Sequence, residues 1–340
     1  MILKNLKRQM FLPREEYIIN QYVSIEGLNV LLLSFTIDND KNRIWMIYEN
    51  EDLIKSDYDS DHDHREKFTT NREKLLHSIE NHNTYKNFYI SEMEIQGHTV
   101  KFGSSSSGPI YNHDIEKLMQ LQHFAERGLI FEEWDNVQLE SLVIAQYEQM
   151  EGEVTPSIDE TKELDIVLHI DKRVKEIPIQ YPIKVRFGKQ NNEGKVKYYD
   201  PILGKENYFY INEIYSYNVY EDILKKVEEI DDVEMREKTI KHLNQAMENI
   251  CPRDKNLAVI RYETEDNIQL QFHTKSYLES EPLYLSSGSS IGFIGKSNEI
   301  GVNGYKLREC ILQPIDKDFN GELEIELFSR FYEIPERTVS

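Results

Sequence analysis

Two cysteines in 340 residues, Cys251 and Cys310, are too few for a disulfide framework or a four-cysteine zinc site. They read as structural thiols of a reducing compartment. Long apolar runs are missing as well. The longest cluster, Val30 to Leu33 with Phe35 and Ile37 beyond it, falls far short of the roughly 18 residues that a membrane helix needs. The start, Met1 to Met10, lacks the continuous apolar core and small-residue cleavage site of a secretory signal. Cytoplasmic residence with no membrane partner is the expectation. Positive charge is scarce: 40 Lys+Arg stand against 61 Asp+Glu, a formal charge of −21. Residues 1–160 carry 15 Lys+Arg against 29 Asp+Glu, and residues 161–340 carry 25 against 32. Such a field repels phosphate backbones and anionic lipid, which argues against direct nucleic-acid binding and suits a basic protein partner.

Bulky residues are plentiful. Aromatics make up 11%, with 21 Tyr and 14 Phe, so the chain can bury enough surface to fold. Its length favours two domains. The polar stretch Glu151 to Glu160, with Gly152 and Pro156, interrupts the periodic pattern and marks the expected boundary. An acidic N-terminal domain over 1–152 and a β-rich domain over 161–340, the latter with a helical insertion at about 220–250, follow from it.

The pattern along the chain supports these elements. Ile2, Leu3, Leu6, Met10 and Phe11 have helical spacing with Lys4, Lys7 and Arg8 between them, predicting a short amphipathic helix. Val23 to Ile37 reads as one strand, Asp38 to Asn42 as a turn and Arg43 to Tyr48 as the returning strand. Thr70 and Glu73 form a capping box for a helix to about His82. Phe88 to Ile95 and Thr99 to Phe102 flank a turn at Gly97. Gly103 to Pro109 reads as a serine-glycine loop, Asn112 as the cap of a helix ending near Gly128, and Val137 to Met150 as another amphipathic stretch. Strands are expected over Leu164 to Ile170, Ile177 to Phe187, Val196 to Tyr199 and Tyr208 to Tyr217, then helices to about Ile250. Leu257 to Tyr262 and Ile268 to His273 follow, and Asn303-Gly304 and Asn320-Gly321 signal further hairpins. Elements come in blocks and not as βαβ units, which predicts an α+β fold of antiparallel sheets with packed helices.

Chemistry is sought first in Leu285 to Ser297. Gly288-Ser289-Ser290-Ile291-Gly292 fits the G-x-S-x-G nucleophile elbow, and Gly295-Lys296-Ser297 is the tail of a phosphate-binding loop. The elbow lacks a following helix, since Gly292, Gly295, Gly301 and Gly304 punctuate the next residues, and the last histidine, His273, precedes the serine. The phosphate loop has Ser290 where its first glycine belongs, and too little chain follows for the remaining βα units. What survives is an anion site of exposed amides with Gly288, Ser289, Ser290, Gly292, Lys296 and Ser297 as its candidates. Asp57, Asp59 and Asp61 have calcium-loop spacing, but His62 and Phe68 occupy the glycine and glutamate positions; with His62 and His64 this is an acidic loop, and no metal or cofactor is expected. His98, His113, His123 and His169 have no acid or serine at recognisable spacing. The tyrosines of Tyr208 to Tyr217 suit a half-buried sheet.

These readings lead to a non-enzymatic protein-interaction or regulatory module. The alternative is an enzyme or binding protein for an anionic small molecule that uses residues 286–297.

Overall fold

The computed structural model describes residues 10–38, 41–53, 68–84, 86, 88–130, 134–159, 161–162, 164–190, 194–228, 230–248, 250–282 and 299–340. In chain order the strands are β1 (Glu15–Ile25), β2 (Leu28–Ile37), β3 (Asn42–Glu49), β4 (Ile90–Ile95), β5 (His98–Pro109), β6 (Leu142–Gln149), β7 (Ile166–Ile170), β8 (Arg173–Arg186), β9 (Gly188–Lys189), β10 (Lys195–Asp200), β11 (Lys205–Tyr217), β12 (Lys255–Thr264), β13 (Leu270–Thr274), β14 (Leu307–Asp316), β15 (Glu322–Ile334) and β16 (Arg337–Val339). The helices are α1 (Asn71–Thr84), α2 (Ile115–Glu126), α3 (Val219–Glu228), α4 (Val233–Glu248) and α5 (Lys275–Glu279). Strand makes up 49% and helix 21%. The expected α+β class is therefore corrected: the fold is mostly β, built on a curled antiparallel sheet, with only short helices. Among the described residues no helix is long and apolar enough to cross a membrane.

Three local readings account for much of that correction. Val137 to Met150 is not an extended amphipathic element of helical type; a single 3-10 turn at Leu139–Ser141 leads into β6. Its β-branched centre, Val143-Ile144, is buried in a row with Leu142 and Ala145, as a strand covered on both sides requires. Gly103 to Pro109 is no loop but the second half of β5, paired with β6 from Ser104↔Glu148 to Pro109↔Val143. Val23 to Ile37 is two strands, because Glu26 (φ 55°) and Gly27 (φ 75°) make a two-residue turn with both residues left-handed. The helix expected over 2–12 lies, for all but its last residues, outside the described residues.

Chain contacts divide into two units. One comprises Met1–Lys67, Asn81–Arg173 and Glu333–Ser340. Its sheet runs β1-β2-β3-β6-β5-β4-β7-β16, antiparallel and curled into a half-barrel. Alternate residues of β2 and β3 explain the curl's two cores. Val30, Leu32, Phe35, Ile44 and Met46 join Met93, Val100, Tyr147 and Leu168 in one cluster. Leu31, Leu33, Trp45 and Ile47 join Ile144, Phe124 and Leu129 in the other, which α2 covers. The curl brings edge strands β1 and β16 close to one another, and Glu26 at the β1–β2 turn accepts from Arg337 of β16 at 2.5 Å and from Arg173. Helix α2 starts at Asp114, not Asn112: the Asp114 carboxylate accepts from the Lys117 amide at 3.2 Å. It ends before Gly128, whose φ of 72° suits glycine.

The other unit comprises Phe68–Glu80 and Val174–Tyr332. A sheet of order β10-β11-β12-β14, with β9 beside β11, and a sheet of order β13-β15-β8 contribute to one core of Phe209, Ile211, Ile260, Tyr262, Phe272, Leu312 and Leu327 among others. Helices α3 and α4 cover Leu257 and Ile311 of the first sheet. The first turns of α1 cover Phe328 of the second through Leu75, Leu76 and Ile79. The capping box at the start of α1 forms as the sequence suggested, with the Glu73 amide donating to the Thr70 hydroxyl and the Thr69 amide to the Glu73 carboxylate.

Leu32 is fully buried at the centre of the curl. Leu32→Ala removes transfer energy and leaves a cavity, so urea unfolding should show a loss of about 2–5 kcal/mol.

Candidate functional site

At the end of β3 the chain turns sharply. The Asn50 amide donates to the Ser141 carbonyl at 2.8 Å, the Asn50 side-chain oxygen accepts from the Asp52 amide, and the Asn50 carbonyl accepts from the Leu53 amide at 3.2 Å. This side-chain-to-backbone turn keeps Asn50 buried while Glu49 and Glu51 stay exposed. Strand pairing between β2 and β3 begins next to it, with Val30 opposite Tyr48. The Glu26–Gly27 turn and residues Leu28 and Asn29 thus come to the same end of the sheet. Together with Lys86 and Trp134 these residues line a cleft of about 350 Å³.

The charge of this cleft is unequal. Glu49, Glu51 and Asp52 face it against Lys86 alone. Several acids elsewhere in this unit are ion-paired: Glu26 holds two arginines, Glu148 holds Lys41 and Arg43, and Glu16 holds His123 and Arg127. Among the described residues, Glu49 and Glu51 have no ion-pair partner. Trp134 is half-buried, its ring anchored in the α2-covered core. Unpaired carboxylates beside an indole can receive a cation by charge and by attraction to the ring face.

The anion-site candidates Gly288, Ser289, Ser290, Gly292, Lys296 and Ser297 lie outside the described residues, as do Asp57, Asp59, Asp61, His62 and His64. The chain just beyond is described, and there the backbone amides of Asn303 and Tyr305 donate to the Glu263 carboxylate at 3.1 and 2.9 Å. The Asn212 and Asn303 side-chain amides donate to it as well. Burial by itself would raise the Glu263 pKa; the donors from Asn212, Tyr305 and Asn303 outweigh it and hold the carboxyl below its ordinary range. Gly301 is glycine for a reason, since a Cβ there would overlap the Glu263 side chain.

Tertiary structure also finds partners that spacing hides. His123 lies 2.9 Å from Glu16, 107 residues away, and His169 lies 3.3 Å from Glu94. His113 stacks on Tyr111, and His98 is exposed beside the Gln96–Gly97 turn. His273 packs between Tyr277 and Phe328 with its Nδ1 3.0 Å from the Gln313 amide nitrogen; burial lowers its pKa to about 4. Cys251 and Cys310 are buried free thiols, and burial pushes Cys310 up to about 12. The outward tyrosines of β11 are half-buried and engaged: Tyr210 donates to Glu265 at 2.6 Å, and Tyr215 donates to Glu309 beneath Arg261. Among the described residues no group of three His, Cys, Asp or Glu side chains is arranged to hold a metal.

Two titrations follow. The lowered pKa of His273 in the folded state means that the unfolded chain binds the extra proton between pH 6.5 and about 4. Stability should therefore be intact above pH 6.5 and fall progressively toward pH 4, and His273→Gln should flatten that part of a pH series of melting temperatures. Glu263 stabilises above the ordinary carboxylate pKa of about 4.3 and ceases to do so as pH falls through its lower folded value. Glu263→Gln cannot accept all four donors and should cost about 1–3 kcal/mol at neutral pH in urea unfolding. No protein-family model, curated protein sequence or solved structure matches the chain.

Proposed function

We propose that the protein is a non-enzymatic interaction module of the cytoplasm that takes a lysine or arginine side chain of a protein partner into the cleft lined by Glu49, Glu51, Asp52 and Trp134. The observation that carries this reading is the pair of unpartnered carboxylates, Glu49 and Glu51, on a concave surface with an aromatic wall. A basic side chain entering the cleft gains two carboxylates and an indole at once, and the short turn fixed by Asn50 sets the backbone that carries the acids. The formal charge of −21 adds long-range attraction for a basic partner and speeds its encounter. Scarce cysteine, both thiols buried and free, suits a reducing compartment.

The alternative reading, an enzyme or binding protein for an anionic small molecule, rests on residues 286–297. Beyond that stretch the amides of Asn303 and Tyr305 are already occupied by Glu263.

The test uses an oligo-lysine peptide and, as its control, an oligo-glutamate peptide, in titration calorimetry with the full chain. The lysine peptide should bind, weaken with added salt and quench the fluorescence of Trp134, one of two tryptophans; the glutamate peptide should not bind. Glu49→Gln with Glu51→Gln should weaken lysine-peptide affinity by about ten-fold, near 1.4 kcal/mol. Equal affinity of wild type and double variant would overturn the proposal.

A further inference from the structure

The serine run of β5 has an open side. Residues His98 to Lys101 pair with β4, from Ile95↔His98 to Glu92↔Lys101; the pairing stops there, and beyond it the Tyr89 hydroxyl donates to the Phe102 carbonyl. From Ser104 to Pro109 the only strand beside β5, among the described residues, is β6. Which backbone groups face outward follows from register. The Ile110 amide donates to the Leu142 carbonyl, and in an antiparallel ladder hydrogen-bonded pairs recur at every second residue. Gly108, Ser106 and Ser104 therefore bond to β6. Ser105 and Ser107 direct their N–H and C=O groups to the open side.

The start and end of this edge are defined. It starts at the irregularity between Phe102 and Ser104, where the register with β6 shifts by one residue and the outward positions change parity. Before it the Lys101 carbonyl is turned to β6 and accepts from the Met150 amide. At the far end Pro109, the next outward position, has no N–H to offer, and its carbonyl accepts from Lys117 at 2.8 Å. Between these stops Ser104 to Ser107 are all exposed, and no residue from 103 to 109 is charged. Exposed edges are usually protected by a charge, a proline or a bulge; here the bulge at Phe102–Ser104, Pro109 and the Lys117 ammonium beside Gly108 close the two ends, and Ser104 to Ser107 between them carry no such device.

We propose that this edge pairs with the same edge of a second copy of the chain. An antiparallel two-fold with Ser106 facing Ser106 sets Ser105 opposite Ser107 of the copy. Each of those pairs then exchanges N–H to C=O in both directions, so every open group between the two stops finds a partner. The edge reads alike in both directions, which is what an isologous contact demands. Its flanks are complementary in charge: Lys101 precedes the serines and Glu116 follows them, while Asp114 and Lys117 form an ion pair of their own and Lys117 also donates to Pro109. The two-fold sets the Lys101 end of each copy beside the Glu116 end of the other. A parallel arrangement would set like charges together. Serine hydroxyls opposed across the axis add cross-strand hydrogen bonds. Contact over so short an edge makes a weak, concentration-dependent dimer, and two copies at −21 each associate more tightly as salt screens them.

Sedimentation of the full chain from micromolar to near-millimolar concentration should show monomer passing to dimer, at lower concentration in higher salt. Hydrogen exchange read at single amides should show Ser104 and Ser106 protected at all concentrations, and Ser105 and Ser107 protected only where the dimer forms. Ser106→Lys places two like charges on the axis and should weaken dimerisation by at least about ten-fold. Ser105→Pro removes an outward N–H that β6 does not use, so it should weaken the dimer with little change in melting temperature. Lys101→Glu should weaken the dimer, and adding Glu116→Lys should restore it. A chain that stays monomeric throughout, Ser105 and Ser107 amides that never gain protection, or variants that dimerise like wild type would each overturn the proposal. So would protection of those amides only on adding a different protein, which would make the edge a site for a foreign strand.

Discussion

The half-barrel unit depends on burying both faces of three neighbouring strands. β2, β3 and β6 are apolar on either side because the sheet curls around one cluster and receives α2 on its back. Neither cluster would close without the other: Leu31 and Leu33 alternate with Val30 and Leu32 on one strand, so any shift of register by one residue would exchange the cores. The Glu26 carboxylate acts where the curl brings β1 and β16 together, using Arg337 and Arg173. The second unit follows the same rule with different parts. Two sheets share one core, and helices cover the outer face of each.

Charge buried inside the second unit is either ion-paired or held by amide donors. Arg330 and Asp200, both almost wholly buried, form an ion pair beside Asp266, and Asp200 also accepts the Ile202 and Leu203 amides. Arg72 of α1 holds buried Glu326 through both guanidinium nitrogens, at 2.5 and 2.7 Å, which ties α1 to β15. Glu263 organises the chain from Gly301 to Tyr305. Losing one member of such pairs leaves an uncompensated buried charge. These acids therefore serve the fold; Glu49 at the end of β3 and Glu51 in the turn after it have no ion-pair partner among the described residues and share their cleft with Lys86.

Legibility in the sequence varied with how local the cause was. The capping box of Thr70 and Glu73 and the glycine after α2 were visible because each is satisfied within a few residues. The Glu26–Gly27 turn was missed because Glu–Gly does not carry the Asn–Gly signal, although Gly27 takes the same left-handed backbone. Val137 to Met150 was misread because a short apolar run has no period of its own; it becomes a strand through its neighbours β3 and β5. The serines of β5 looked like a loop for the same reason. Pairing with β6 makes them a strand, whereas their own propensity does not. Of the cleft, sequence showed only excess acid. That Gly27, Glu49 and Trp134 share one concave surface depends on strand pairing between distant segments.

By itself the sequence determined that the chain folds, that it carries a large negative charge, that its two thiols build no disulfide framework, and where several turns and caps fall. Composition and contacts over a few residues suffice for those. Tertiary structure decided that strand outweighs helix, that the sheet curls, which acids are paired and, among the described residues, which side of the serine strand has no neighbouring strand. Each of these depends on which segments lie side by side, and pairings such as Glu16 with His123 or Arg72 with Glu326 join residues more than a hundred positions apart. Local pattern carries no record of them.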